Sequence, residues 1–171
     1  MNWLLVIPQL LVLYALNVVL GVLWIVAWFS ILFTARIPEG MFAFMATIFR
    51  YQWRVLTFWV WMRESYPPFD LTAAGQDPGT DPARLSVKYP GELSRLLIFV
   101  KWLLVIPHLI VLFFLYIGAY IAAIIGFFAV LITGRWPEGL RRYIVGVARW
   151  GYRVEIYYYL MTDAYPPFSL A

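Results

Sequence analysis

The chain contains no cysteine, which excludes disulfides and thiolate-held metals. It has a single histidine, His108. A metal site needs three or more ligands, so neither a histidine-built metal centre nor a bis-histidine haem is expected, and no cofactor is. Charge is scarce: Asp, Glu, Lys and Arg make up 13% of the residues, against about a quarter in a soluble domain. None of the four occurs from Met1 to Ala35 or from Trp102 to Gly134. The net charge of +4 is spread along the chain without a Lys/Arg run. Nucleic acid is therefore not an expected partner, and anionic lipid head groups are a better match for a mild positive charge. Gly-rich phosphate loops, nucleophile elbows and zinc-helix motifs are missing too.

What the chain does have is apolar surface. Hydrophobic residues reach 64%, more than a water-soluble core of 171 residues can bury. The two charge-free runs each exceed the ~20 apolar residues that cross a bilayer, so both read as membrane helices. The first is not read as a secretory signal, because it lacks a basic start and a small-residue cleavage site, and its sequence recurs inside the chain.

That recurrence organises the molecule. Trp3-Leu4-Leu5-Val6-Ile7-Pro8 returns at 102–107, Pro38-Glu39-Gly40 at 137–139 and Tyr66-Pro67-Pro68-Phe69 at 165–168, all displaced by 99 positions. Residues 3–69 and 102–168 align without a gap, with 26 of 67 positions identical. Each copy predicts a proline in the first helical turn, then an uncharged helix over about 8–33 or 107–132. A polar turn follows, then a second helix over about 41–63 or 140–162 that Tyr-Pro-Pro-Phe stops. Residues 70–94 form the one clearly aqueous stretch, and its Ala73-to-Pro82 part reads as a loop. Residues 95–106 read as a short interfacial helix. The domains expected are a first membrane repeat at 1–69, a polar linker at 70–94 and a second repeat at 95–171. The fold class is all-α integral membrane: two tandem homologous helical hairpins, about four long helices, related by a pseudo-twofold axis. If each copy crosses the bilayer twice, the N-terminus, the linker and the C-terminus share a side. A copy with one crossing and one interfacial helix inverts the second repeat. Five basic residues on one face against four on the other do not decide which is cytoplasmic.

The second helices carry Arg50 and Arg54, and at the same places in the second copy Arg149 and Arg153. A spacing of four puts each pair on one helix face. At the bilayer centre each would cost roughly 2.5–3.5 kcal/mol. Either these helices lie at the interface, or the arginines face protein and pair with Glu39, Glu138 or Glu155. The functional alternative is an anionic lipid head-group site built from Arg50, Arg54, Arg149 and Arg153 with Arg141 and Arg142 nearby, because guanidinium forks onto phosphate. His108, whose repeat partner is Gln9, suits a polar network or a ligand role near a helix start. Glu39 and Glu138 sit at helix starts, where a carboxylate meets free N–H groups and the positive dipole end.

Taken together, Ile106-Pro107-His108, the turn from Thr133 to Gly139, the stretch Arg149-Trp150 to Arg153-Val154, and Tyr165-Pro166-Pro167-Phe168 are the residues that carry a family likeness. With Tyr89-Pro90 and Leu93-Ser94-Arg95 between the copies, the chain resembles the tandem-repeat bacterial membrane proteins of domain-of-unknown-function family 4389. The resemblance implies a multi-pass protein of the bacterial cytoplasmic membrane and brings no catalytic residue. The function expected is a non-catalytic accessory or scaffolding subunit of a larger membrane complex. Its partners are membrane lipids, other membrane subunits or a second copy of itself. A small repeat-built transporter or channel is the first alternative, and a lipid-modifying enzyme using His108 with Glu39 or Glu138 is the second.

Overall fold

The computed structural model describes residues 2–74, 76, 77, 79 and 81–170, with Asn2 and Trp3 described in backbone only. Gly75, Pro78 and Thr80, in the stretch read as a loop, lie outside the described residues. Among the described residues there are four α-helices and no strands. The chain divides into two compact units, Met1–Ile98 and Phe99–Ala171. The linker therefore belongs to the first unit.

Each unit is a helical hairpin. Its first helix is long: α1 spans Asn2–Thr34 and α3 spans Lys101–Thr133. Both begin before the expected prolines, so Pro8 and Pro107 lie inside a helix rather than at its start. A proline there removes one amide, leaving the carbonyls of Leu4 and Leu103 without their usual donor while the other bonds of the turn remain. The separate interfacial helix expected at 95–106 is absent. A single 3-10 turn occupies Leu97–Phe99, and residues 101–106 are the opening turns of α3. The Lys101 ammonium, at the first residue of α3, bonds Thr162 and Asp163 just beyond α4.

Along α1 the buried positions Val6, Gln9, Leu16, Leu20, Ala27 and Ile31 form one stripe at spacings of three, four and seven. The stripe on α3 runs through Lys101, Val105, His108, Leu112, Ala119, Ala122 and Gly126. These stripes face the second helix of each hairpin, α2 at Glu39–Trp59 and α4 at Glu138–Tyr158. The rest of the circumference of α1 and α3 is exposed and almost wholly apolar. By length and composition both helices suffice to cross a membrane.

The turns follow from backbone geometry. α1 ends on Ala35 at φ 56° and α3 on Gly134 at φ 69°, each amide closing onto a carbonyl four residues back, Ile31 or Val130, at 2.8 Å. Only glycine takes this left-handed conformation without cost. Ala35→Gly should therefore stabilise the protein by about 1 kcal/mol, and Gly134→Ala should cost a similar amount. Thermal midpoints in detergent would measure both.

The second helices stop four residues earlier than expected. Trp61 and Leu160 enter the left-handed region, at φ 55° and 65°. The amides of Met62 and Met161 then reach Thr57 O and Ile156 O, while those of Trp61 and Leu160 reach Phe58 O and Tyr157 O. This is the Schellman arrangement. Tyr-Pro-Pro-Phe comes later and clips the chain back onto the helix. Tyr66 meets Phe58 edge-on at 5.6 Å, and Tyr165 meets Tyr157 at 5.8 Å. Phe69 lies 6.3 Å from Tyr51, and Phe168 lies 5.6 Å from Trp150.

In the first unit the chain then returns along α2. Thr47 donates to Thr72 O, and Arg50 reaches Ala74 O and Leu85 O. Tyr89 Oη donates to Ile37 O, and the Leu93 amide to Ala35 O. An exposed Arg36–Glu92 pair at 2.6 Å closes the far end. The described residues of 60–93 thus form a strap from the end of α2 to its beginning. The last linker residues, Tyr89 to Leu93, lie at the turn end of the hairpin, beside Ile37 and Ala35.

The two seams fill the same space differently. In the first unit Asn17 and Gln52 bond at 2.8 Å. At the equivalent places in the second unit the Tyr116 hydroxyl lies directly over Gly151, where a β-carbon would collide with it. The Trp136 ring likewise occupies the space a β-carbon of Gly126 would need, whereas the first unit has buried Ala27 and Ile37 at those positions. Gly126→Ala should cost about 1–3 kcal/mol through overpacking. Adding Trp136→Ile should recover most of it, and a double-mutant cycle on unfolding midpoints checks the coupling.

Candidate functional site

The first unit's arginines are enclosed by the strap. Arg50 and Arg54 are each 2% exposed. Arg50 donates through Nη1 to Ala74 O at 2.7 Å and through Nε to Leu85 O at 3.1 Å, with Thr47 Oγ1 at 3.4 Å. Burial pulls its pKa below the usual arginine value, and Asp77 opposes that shift. Arg54 points to Asp81, with Nε 3.9 Å from Oδ2. Asp81 is 5% exposed and receives a two-pronged grip from Arg63, at 2.7 and 3.0 Å. It also accepts the Ala83 amide at 2.8 Å. Strap carbonyls bond Arg50, and the strap carboxylate of Asp81 stands opposite Arg54, rather than the glutamates considered from sequence; Arg54 Nε itself makes no hydrogen bond. Near the strap's start, hydrogen bonds from the Thr72 hydroxyl and amide hold the Asp70 carboxyl below its usual range.

The matching positions in the second unit are more open. Arg153 is half-buried and donates to Ser169 O at 2.7 Å. Arg149, Arg141 and Arg142 are exposed on α4, with Arg142 lying 3.9 Å from exposed Glu138. The six arginines singled out from sequence therefore divide. Arg50 and Arg54 are structural ties, Arg153 is intermediate, and Arg141, Arg142 and Arg149 face outward.

His108 is fully buried, and its Nδ1 accepts from Trp150 Nε1 at 3.1 Å. Its ring stacks on Phe168 at 3.9 Å, with Tyr165 at 4.9 Å. Nε2 has no hydrogen-bond partner. Gln9 occupies the equivalent place in the first unit, with Oε1 accepting from the Tyr51 hydroxyl and Nε2 donating to Pro67 O at 3.0 Å. Tyr51 and Trp150 are themselves repeat equivalents. Glutamine and histidine therefore hold the same junction, where the Tyr-Pro-Pro-Phe clip meets the helix seam.

Glu39 and Glu138 open α2 and α4 and are exposed. Glu39 lies on a cleft of about 550 Å³ with Phe42, Gln76, Ser86, Val87, Lys88 and Tyr89. Glu138 lies 3.9 Å from Arg142 on the exposed surface of α4. Three His, Asp or Glu side chains do not gather anywhere among the described residues to hold a metal.

Two buried ionic ties escaped the sequence reading. Asp81 stands in a loop segment 18 residues from Arg63, and no local spacing links them. Lys101, within the stretch read as an interfacial helix, is 1% exposed. It meets Asp163 Oδ1 and Thr162 O at 2.7 Å each, with the Tyr157 ring 4.9 Å away. A lone lysine at the edge of an apolar run was the available signal, since a cation there needs a partner.

A family model described as a domain of unknown function, DUF4389, matches residues 1–70 and again 95–169. The two matches coincide with the two copies of the hairpin. No curated protein and no solved structure matches the chain.

Proposed function

The chain belongs to the DUF4389 family, and we propose that it is a non-catalytic accessory or scaffolding subunit of the bacterial cytoplasmic membrane, embedded through α1 and α3. The observation that carries this reading is the outer surface of those helices. Leu11 is 69% exposed, Phe33 72%, Leu131 70% and Ile132 81%, in runs without a charged residue between Asn2 and Thr34 or between Trp102 and Thr133. Such continuous apolar surface marks a membrane or partner-protein interface. The chain returning along α2 bonds Arg50 and Arg63 internally, which suits a part that presents surface rather than performs chemistry. His108 supports the same reading, since its ring is enclosed and one nitrogen is already used by Trp150.

The test is purification of the tagged chain from native membranes under gentle solubilisation. Stoichiometric recovery with a defined set of membrane subunits supports the proposal. Recovery of the chain in the aqueous fraction, or alone in stoichiometric terms, overturns it.

Anionic lipid binding is the second part of the proposal, and Arg141, Arg142 and Arg149 are its carriers, because they are exposed on one helix. Replacing all three with glutamine should reduce the phosphatidylglycerol retained in native mass spectrometry. Arg50→Gln should leave that retention unchanged. Equal lipid retention by the triple variant and wild type removes this part.

A further inference from the structure

The first unit has a polar side and an apolar side, and their placement restricts how it can sit in lipid. Four polar residues of α1 turn toward α2 or toward backbone, while Tyr14 is exposed. Gln9 bonds Tyr51 and Pro67, Asn17 bonds Gln52 and Leu13 O, and Ser30 and Thr34 bond the Arg36 carbonyl. Leu4, Leu11, Val18 and Ile25 recur every seven residues on another face, and all are exposed. On the opposite side of α2, the strap carries exposed Arg84, Ser86 and Lys88 between half-buried Leu85 and buried Val87. Leu85 is bonded to Arg50, so these charges lie beside the middle of α2.

The strap accompanies α2 throughout. The 21 residues of α2 extend ~32 Å, about the ~30 Å thickness of the hydrocarbon core. Were the hairpin upright, an irregular, partly exposed backbone with two exposed cations would cross that whole layer. Irregular backbone facing lipid does not occur at that depth, and charges there are costly.

We infer that the first unit rests in one leaflet, with α1 lying along the membrane plane against the acyl chains and α2 with its strap forming the water-facing layer. The inference builds on the membrane placement proposed above and replaces the bilayer crossing expected of α1. The docked surface is the seven-residue ladder of Leu4, Leu11, Val18 and Ile25, and its occupant is the lipid leaflet. Unlike an amphipathic in-plane helix, α1 carries no charged face of its own, and α2 with the strap supplies the polar side of the unit.

The absence of cysteine makes the test direct. Single cysteines at Leu4, Leu11, Val18, Ile25 and Ser86 of the full chain, all surface positions, carry a nitroxide in phosphatidylcholine–phosphatidylglycerol vesicles. Oxygen against nickel-chelate accessibility then reads depth, and circular dichroism verifies the helices. The expected result is one common depth for the four α1 sites and water-like exposure at Ser86. A profile deepest near Val18, with Leu4 and Ile25 near opposite surfaces ~32 Å apart, overturns the inference but leaves the membrane proposal standing. So does a Ser86 label as deep as Val18. Labels that are all as water-exposed as Ser86 overturn both.

Discussion

Asp81→Ala should be among the most damaging single changes to the first unit. The carboxylate is buried, takes a two-pronged bond from Arg63 and stands 3.9 Å from Arg54 Nε. Removing it leaves two guanidinium groups, 3% and 9% exposed, without the carboxylate they share. Breaking a buried pair from one side costs about 3–5 kcal/mol, mostly because the remaining charge stays desolvated. The damage should be local at first. The strap should release from α2 before the α1–α2 seam opens, since the other strap ties are neutral or carbonyl bonds at Thr47, Arg50, Tyr89 and Leu93 and an exposed Arg36–Glu92 pair. Limited proteolysis should therefore cut Asp81→Ala within residues 70–94 under conditions that spare wild type, with a lowered unfolding midpoint in detergent. Asp81→Asn should fall between, because an amide keeps a hydrogen-bond acceptor but not the charge. Wild-type resistance and midpoint in Asp81→Ala would mean that the ion cluster is exposed to solvent in the working protein.

The same cluster marks the limit of what the sequence made legible. The duplication, the two long apolar helices and the hairpin order could be read because they rest on patterns repeated at fixed spacing. Helix ends were less legible. The stops at Trp61 and Leu160 depend on bulky residues taking a left-handed conformation that glycine would normally signal. The helix starts were misplaced because proline was given its commonest position, while Pro8 and Pro107 sit one turn or more inside. Least legible was the strap. Nothing in its local composition ties Asp81 to Arg63 or Leu85 to Arg50, because those are tertiary contacts across long separations. The arginine pairs were rightly singled out as needing an explanation. Their sequence equivalence nevertheless hid unlike surroundings, since Arg50 is buried under strap carbonyls and Arg149 is exposed.

His108→Ala should match that effect in the second unit, and the repeat supplies its own control. Truncation opens a hole beside Phe168, against which the imidazole stacks at 3.9 Å, and leaves the Trp150 indole N–H buried without an acceptor. Cavity and unsatisfied donor together should cost about 3 kcal/mol. Glutamine should repair both. In the first unit Gln9 presents an acceptor to Tyr51, the equivalent of Trp150, and an amide donor to Pro67 O. A glutamine at 108 can accept from Trp150 and offer its amide to the carbonyl of Pro166, whereas His108 Nε2 makes no such bond. His108→Gln should therefore unfold at or above the wild-type midpoint in detergent, with Trp150 fluorescence reporting the intact junction. A glutamine variant as unstable as the alanine one would show that the junction needs an imidazole ring. A stable glutamine variant that no longer assembles with its membrane partners would assign His108 a role beyond packing. Full stability and assembly would establish the two residues as interchangeable fasteners for the Tyr-Pro-Pro-Phe clip, and the enzyme reading would lose its only histidine.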